Sequence, residues 1–233
     1  MSDPVTAERE AAAAAAAALV EPGMRIGLGT GRTALALVAA LGARVREEGL
    51  VLPAAVATSR RTEEAARTAG IAVCDMMADD APVRVDLAID GADEIDPDLC
   101  LIKGGGASLL REKIVAHMAD RFVVIADAAK RVDVLGRFPL PVEVIPFGWT
   151  ATAGQIADAL GVVPVLRRTD ADILVTDNGN YILDCPMGRI EDPAAIAAAL
   201  ALPGVVEHGL FVTETEIALI GVGDSVQRLT RGG

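Results

Sequence analysis

The stretch Lys103-Gly104-Gly105-Gly106-Ala107-Ser108-Leu109-Leu110-Arg111-Glu112-Lys113 sets a lysine before three glycines and a glutamate after them. In a P-loop the lysine follows the glycines and stands beside Ser or Thr, so this order marks a different device. Three successive glycines let the backbone approach a ligand closely and aim several N–H groups at one spot. Ser108 suits a helix cap, but the capping-box position three residues on is Arg111, so Glu112 is not a capping partner. A plainer account of Glu112 is an acid favoured in the first turns of a helix. Taken together, a cation, an N–H nest and a carboxylate describe enolate chemistry. The carboxylate removes a proton beside a carbonyl, while Lys103 and the glycine amides hold the oxyanion that develops. Any phosphate is then gripped elsewhere.

Two further loops have the composition to do that. In Gly27-Leu28-Gly29-Thr30-Gly31-Arg32-Thr33-Ala34, the residues Gly29, Gly31 and Ala34 formally fit a dinucleotide fingerprint. The next strand, ending near Ala57, is followed by Thr58 and Ser59 rather than by the acid that would bind a ribose hydroxyl. Backbone amides with the hydroxyls of Thr30 and Thr33 suit a single phosphate better. The alternative is a tight turn with Thr33 as helix cap. The third loop spans Asp86 to Asp96, with Asp90 at the end of an apolar run, Gly91 permitting a sharp turn, then Asp93, Glu94 and Asp96. A solvated acidic loop or a magnesium site are alternatives, although the spacing matches no calcium loop. An aspartate at a strand end beside a glycine suits the binding of sugar hydroxyls or the shuttling of protons.

Positioning these loops calls for strands that end where they begin. Short apolar runs (MRIGL, LVLPAAVA, IAVCD, VDLAID, FVVIAD) alternate with helical patterns at about Thr6–Val20, TALALVAAL, and the segment ending on Gly70. That alternation predicts an α/β fold with a mostly parallel, Rossmann-like sheet. From Arg137 the texture changes. FPLPVEVIP, a helix near Thr150–Leu160, three strand-like runs with a hairpin turn at Asp177–Asn180, a helix at Pro193–Leu202 and a strand near Val205 form a βαββαβ set. We expect a small ferredoxin-like α+β domain over 135–207, with 1–134 and 208–233 forming the large domain and EIALIG returning to its sheet.

Composition narrows the partners. Net charge is −12, against nucleic acid as a general partner but not against a small phosphorylated ligand. Cys74, Cys100 and Cys185 are separated and odd in number, which reads as reduced thiols in the cytoplasm; with His117 and His208 alone, no zinc set is suggested. The run Ala11–Ala18 is flanked by Glu8, Glu10 and Glu21, and reads as a helix rather than a signal peptide. No apolar run reaches membrane-spanning length.

These blocks resemble the type A ribose-5-phosphate isomerase family. GLGTGRTA, DGADEID, KGGGASLLREK, IADAAKRVDVLGRFPLPVEVIP, VTDNGNYILD, PGVVEHGLF and ALIG carry the likeness in order along essentially the whole chain. The resemblance implies interconversion of ribose 5-phosphate and ribulose 5-phosphate through an enediolate, in carbohydrate metabolism by the pentose phosphate route, with no metal and no organic cofactor. It implies Glu112 as the base, Lys103 with Gly104, Gly105 and Gly106 at the oxyanion, and Asp90 in ring opening. Gly91, Ala92 and Asp93 complete the substrate turn; Thr30, Gly31, Arg32 and Thr33 hold the phosphate with Lys130, and Arg9 occupies another basic position there. Family members are homodimers or homotetramers. Arg32 stands where the family has serine. A charged grip on phosphate, a side chain in solvent and a crowded pocket with altered sugar preference are its three readings. Two other functions stay open at this stage: an isomerase or deaminase of another sugar phosphate, and a non-catalytic sugar-phosphate sensor, which should carry a basic helix-turn-helix segment that this chain does not display.

Overall fold

The computed structural model describes residues 3–223 and 225–231. The chain opens with α1 (Pro4–Ala17), β1 (Ile26–Leu28), α2 (Arg32–Glu47), β2 (Val56–Ala57), α3 (Arg60–Thr68) and β3 (Leu87–Asp90). Next come β4 (Glu94–Ile95), β5 (Leu101–Ile102), α4 (Leu109–Met118), β6 (Phe122–Asp127) and a 3-10 turn, Ala128–Lys130. Then follow β7 (Leu140–Val144), α5 (Trp149–Leu160), β8 (Val165–Leu166), β9 (Arg168–Thr169), β10 (Asp172–Ile173) and β11 (Tyr181–Cys185). The last elements are α6 (Pro193–Ala199), β12 (Val205–His208), β13 (Leu210–Phe211), β14 (Ile217–Val222) and β15 (Ser225–Thr230). Among the described residues no helix is long and apolar enough to cross a membrane.

Two compact units result: 1–92 with 111–130 and 214–233, and 93–110 with 131–213. The sequence-based boundaries kept 93–110, 131–134 and 208–213 in the large domain. The difference has a physical origin, because β4 and β5 pair with each other and β5 with β13, all within the second unit. Of the large domain expected from sequence, residues 1–2, 224 and 232–233 lie outside the described part.

In the first unit the sheet order is β15-β14-β6-β3-β1-β2, with every pair parallel except β14–β15. Counting the parallel strands in chain order gives 2-1-3-4-5, a doubly wound sheet whose switch point lies between β1 and β3. EIALIG does return to it, as β14. The polar edge strand β15 was not foreseen, and IAVCD contributes only a single bridge, Ala55 with Val73. The alanine run does form a helix. Its face Ala12, Ala13, Ala16 and Ala17 is buried, and small side chains let it lie so close to β14 that a Cβ on Gly221 would sit 2.0 Å from the Glu8 carbonyl oxygen. Arg44 of α2 donates to the carbonyls of Ala17 and Val20, satisfying acceptors at the end of α1.

In the second unit the order β12-β7-β11-β8, with all three pairings antiparallel, gives 4-1-3-2, as expected of a βαββαβ set. Its core gathers Val142, Val144, Ile156, Leu183 and Cys185. The turn at Asp177–Asn180 forms, with Thr176 N donating to the Asn180 carbonyl at 2.9 Å. The segment before it, however, pairs back on β9 instead of making a hairpin with β11. A buried carboxylate explains the exception: Glu143 accepts from Thr176 Oγ1 at 3.0 Å and Asn180 Nδ2 at 2.9 Å. Burial, and then the charge of Asp184, push the Cys185 thiol up to about 12, so it stays protonated at neutral pH and packs as an apolar group.

Candidate active site

All five parallel strands of the first unit end on the same side, so the loops that follow β1, β2, β3 and β6 share one edge of the sheet. Gly29 N donates to the Ile89 carbonyl at 3.0 Å and Thr58 N to that of Leu28 at 3.0 Å, which carries the strand pairing into those loops. Asp90 closes β3 with 2% of its surface exposed. Its Oδ1 accepts from Thr30 N at 2.9 Å and from Gly91 N at 2.7 Å, so one oxygen ties the β1 turn to the β3 turn. The approach tolerates no side chain at Gly29, where a Cβ would lie 1.9 Å from that oxygen.

Asp90 and Glu112 border one narrow interior recess, too tight for a water molecule, with Gly27, Gly29, Thr58 and Val115 among its walls. Glu112 stands in the first turns of α4 and is 4% exposed. The helix comes this near β1 because residue 27 is glycine; a Cβ there would meet Val115 Cγ1 at 2.5 Å. Two buried carboxylates thus stand near the switch point of a doubly wound sheet, the edge where such folds carry their ligand-facing loops. Thr58, which sequence reasoning noticed only as a non-acid, belongs to the wall, and its Oγ1 lies 2.7 Å from that of Thr30.

In the turn itself Gly31 takes the N-cap position of α2 at φ 105°, with no side chain capping it. Thr33 is therefore inside the first turn and is not the cap. Arg32 is the first helical residue, and it is exposed. A cation at this end of a helix opposes the macrodipole unless an anion sits there. At the end of β6, Arg9 donates from Nε to Asp127 Oδ2 at 2.9 Å, and Asp127 is buried. Glu8 accepts from Ala128 N at 3.3 Å and Gly223 N at 3.0 Å. The structure thus brings Arg9 to the turn that carries Lys130, with the guanidinium already engaged by an aspartate.

Ala92 closes the turn after β3 in the first unit, and the remaining sequence-predicted residues belong to the second. Lys103 ends the extended run of β5, is 2% exposed, and holds its ammonium 5.4 Å from the centre of the Phe211 ring. Its amide donates to the Gly209 carbonyl at 2.8 Å. After it, Gly104 at φ 105° and Ala107 at φ 60° turn the chain toward α4, closed by Ala107 N to the Gly104 carbonyl at 3.0 Å. A positive φ at alanine is strained, a cost typical of functional loops. Gly105 N donates to Asp93 Oδ2 at 2.7 Å, and a Cβ on Gly105 would lie 2.6 Å from the other oxygen. Sequence reasoning missed Arg167 and Asp184, which hold this loop from behind. Among the described residues, no three His, Cys, Asp or Glu side chains gather as a metal site.

A doubly wound parallel sheet with two buried carboxylates and a glycine turn at its switch point defines the class: an α/β protein whose loops gather at the edge where such folds bind their ligands. The profile of ribose 5-phosphate isomerase A (phosphoriboisomerase A) matches residues 54–225. Ribose-5-phosphate isomerase A of Ruegeria sp. (strain TM1040) is 50% identical over 228 residues, covering 95% of this chain and 86% of that protein. Among solved structures, ribose 5-phosphate isomerase A from Methanocaldococcus jannaschii is similar with a TM-score of 0.88 at 38% identity, covering 95% of this chain and 97% of that one. A D-ribose-5-phosphate isomerase in complex with phospho-erythronic acid is similar with a TM-score of 0.89 at 36% identity, covering 96% and 97%. The chain belongs to the ribose 5-phosphate isomerase A family and is an isomerase.

Proposed function

We propose that this chain interconverts D-ribose 5-phosphate and D-ribulose 5-phosphate through an enediolate, with Glu112 as the base. The observation that carries the mechanism is the pair of buried carboxylates, Asp90 and Glu112, lining one recess. Asp90 assists opening of the sugar ring, taking the proton of the anomeric hydroxyl as the bond from C1 to the ring oxygen breaks and passing a proton to that oxygen, which becomes a hydroxyl. Glu112 then removes the proton from C2 of the open aldose and returns it to C1. Electrons move into the C1 carbonyl in between, Lys103 with the amides of the glycine loop holds the oxygen that becomes anionic, and the proton of the C2 hydroxyl passes to that oxygen as the C2 carbonyl forms. Asp93 binds a hydroxyl of the substrate. The phosphate is held by Thr30, Gly31, Arg32 and Thr33, with Lys130 and Arg9 adding positive charge. An aldonic acid phosphate such as phospho-erythronic acid presents a carboxylate where an enediolate has its charged oxygens, and its presence in a relative's structure supports the reading.

The test is turnover of ribose 5-phosphate to ribulose 5-phosphate by the purified chain with EDTA present. Rapid metal-free turnover is expected. A folded protein that binds ribose 5-phosphate without converting it would overturn the reading, as would preference for an amino-sugar phosphate.

Arg32 supplies a second expected result. Hydrogen bonds to charged groups contribute about 1.5–3 kcal/mol, so Arg32→Ser should raise KM, and the inhibition constant of inorganic phosphate, by about tenfold or more with kcat little changed. Steady-state kinetics with phosphate as inhibitor decide it; unchanged constants would remove Arg32 from the phosphate grip.

A further inference from the structure

Arg167 lies in none of the loops that the chemistry singled out, yet it is a firmly held cation of the second unit. It follows β8, its side chain is 13% exposed, and Asp184 of β11 takes both its Nε, at 2.8 Å, and its Nη2. The fork is thereby fixed in one plane. The remaining nitrogen, Nη1, donates to the carbonyl of Gly104 at 2.7 Å and to that of Gly105 at 3.3 Å.

Those two bonds constrain the other side of the loop. In a planar trans peptide the carbonyl and the N–H point in opposite directions, and the chain contains no cis peptide among its described residues. Drawing the Gly104 carbonyl to Arg167 therefore sends the Gly105 N–H the other way, where Asp93 Oδ2 accepts it at 2.7 Å. The Gly105 carbonyl does the same for the N–H of Gly106. Glycine has no side-chain sterics to prevent such peptides from flipping. A loop of three glycines needs an outside agent to decide which face shows N–H and which shows carbonyl.

We propose that Arg167, locked by Asp184, is the positioning residue of the glycine loop. By binding the carbonyls of Gly104 and Gly105 it commits the N–H groups of Gly105 and Gly106 to the opposite face, where the first fixes Asp93 and the second serves the developing oxyanion. The role rests on the isomerase reading given above. It deepens that reading by naming what keeps the loop from presenting carbonyl oxygen to an anion, an error that would repel the charge it has to hold.

The test compares Arg167→Ala, Arg167→Lys and Asp184→Asn with the native full-length chain, in kinetics and in thermal melting. Arg167→Ala should lose about 30–100-fold in kcat, with KM changed less than about threefold, because misplaced transition-state donors act on kcat. Millimolar guanidinium should restore part of that loss with saturating dose dependence; equal sodium chloride should not, and Glu112→Gln should not respond. Arg167→Lys keeps the charge but not the fork, so its kcat should fall between the two; it carries the test if the alanine variant does not fold. Asp184→Asn should show the same kcat loss in milder form. A kcat within twofold of native in Arg167→Ala, or a loss that tracks melting and resists guanidinium, overturns the role and leaves the isomerase reading standing. Absence of turnover in the native chain removes that reading, and the role with it.

Discussion

Glu112→Gln is expected to lower kcat by about 10³–10⁴-fold and to leave KM within about threefold. General base catalysis contributes on the order of 10²–10⁴ in rate, and the upper part of that range applies where one group performs both proton transfers. The substitution keeps shape and hydrogen-bonding length, while an amide cannot accept the C2 proton. Glu112 is 4% exposed in the first turns of α4, so an isosteric neutral side chain should be tolerated by the packing. Exchange of the substrate's C2 hydrogen with solvent deuterium should fall with kcat, since the same carboxylate would carry that proton. Glu112→Asp retracts the carboxylate by one methylene and should cost about 10–100-fold, a misplacement penalty instead of a loss of function. A glutamine variant retaining a tenth of native kcat would move the base elsewhere. Asp90, the other carboxylate of the recess, would be the first to consider.

What could be read from the sequence followed from local rules. Apolar runs ending in glycine and polar residues located the loops after β1 and β3, and the parallel sheet then carried both to one edge. The glycine loop announced itself because three glycines in a row have few structural uses. What stayed hidden depended on pairing at long separation. Arg167 lies 63 residues from the Gly104 carbonyl it binds, in a segment whose exposed, charged neighbours look like ordinary surface. Glu143 looked like one residue of a proline-punctuated strand; only its burial beneath the Asp177–Asn180 turn shows why that turn is rich in amides. The segment 93–110 was assigned to the large domain because it sits between that domain's elements in the chain, whereas antiparallel pairing with β13 takes it to the second unit. The edge strand β15 alternates weakly and carries polar residues, which periodicity does not separate from a surface tail.

Gly29→Ala should be the second most damaging change, and it acts through a contact that sequence alone does not reveal. A Cβ at residue 29 would lie 1.9 Å from Asp90 Oδ1 and 2.5 Å from Asp90 Cβ, distances at which the aspartate has to leave its place. Leaving breaks the bonds that Asp90 accepts from Thr30 N and Gly91 N, so two amides and a buried carboxylate lose their arrangement together. Overpacking costs about 1–3 kcal/mol and a buried donor left without its acceptor about 1–3 more, so a stability loss of about 2–6 kcal/mol is expected in denaturant unfolding. Activity should fall by about 10²–10³-fold in kcat/KM, because both the turn proposed to hold the phosphate and the carboxylate proposed to open the ring are displaced. A double-mutant cycle separates this from general damage. If Gly29 matters because Asp90 needs its space, Asp90→Gly vacates the collision, Cβ included, and adding Gly29→Ala to it should cost little further activity or stability. Additive losses would instead mean that the glycine serves the β1 turn independently. The close approach of β1 to β3 would then be a consequence of the sheet and not a requirement of the chemistry.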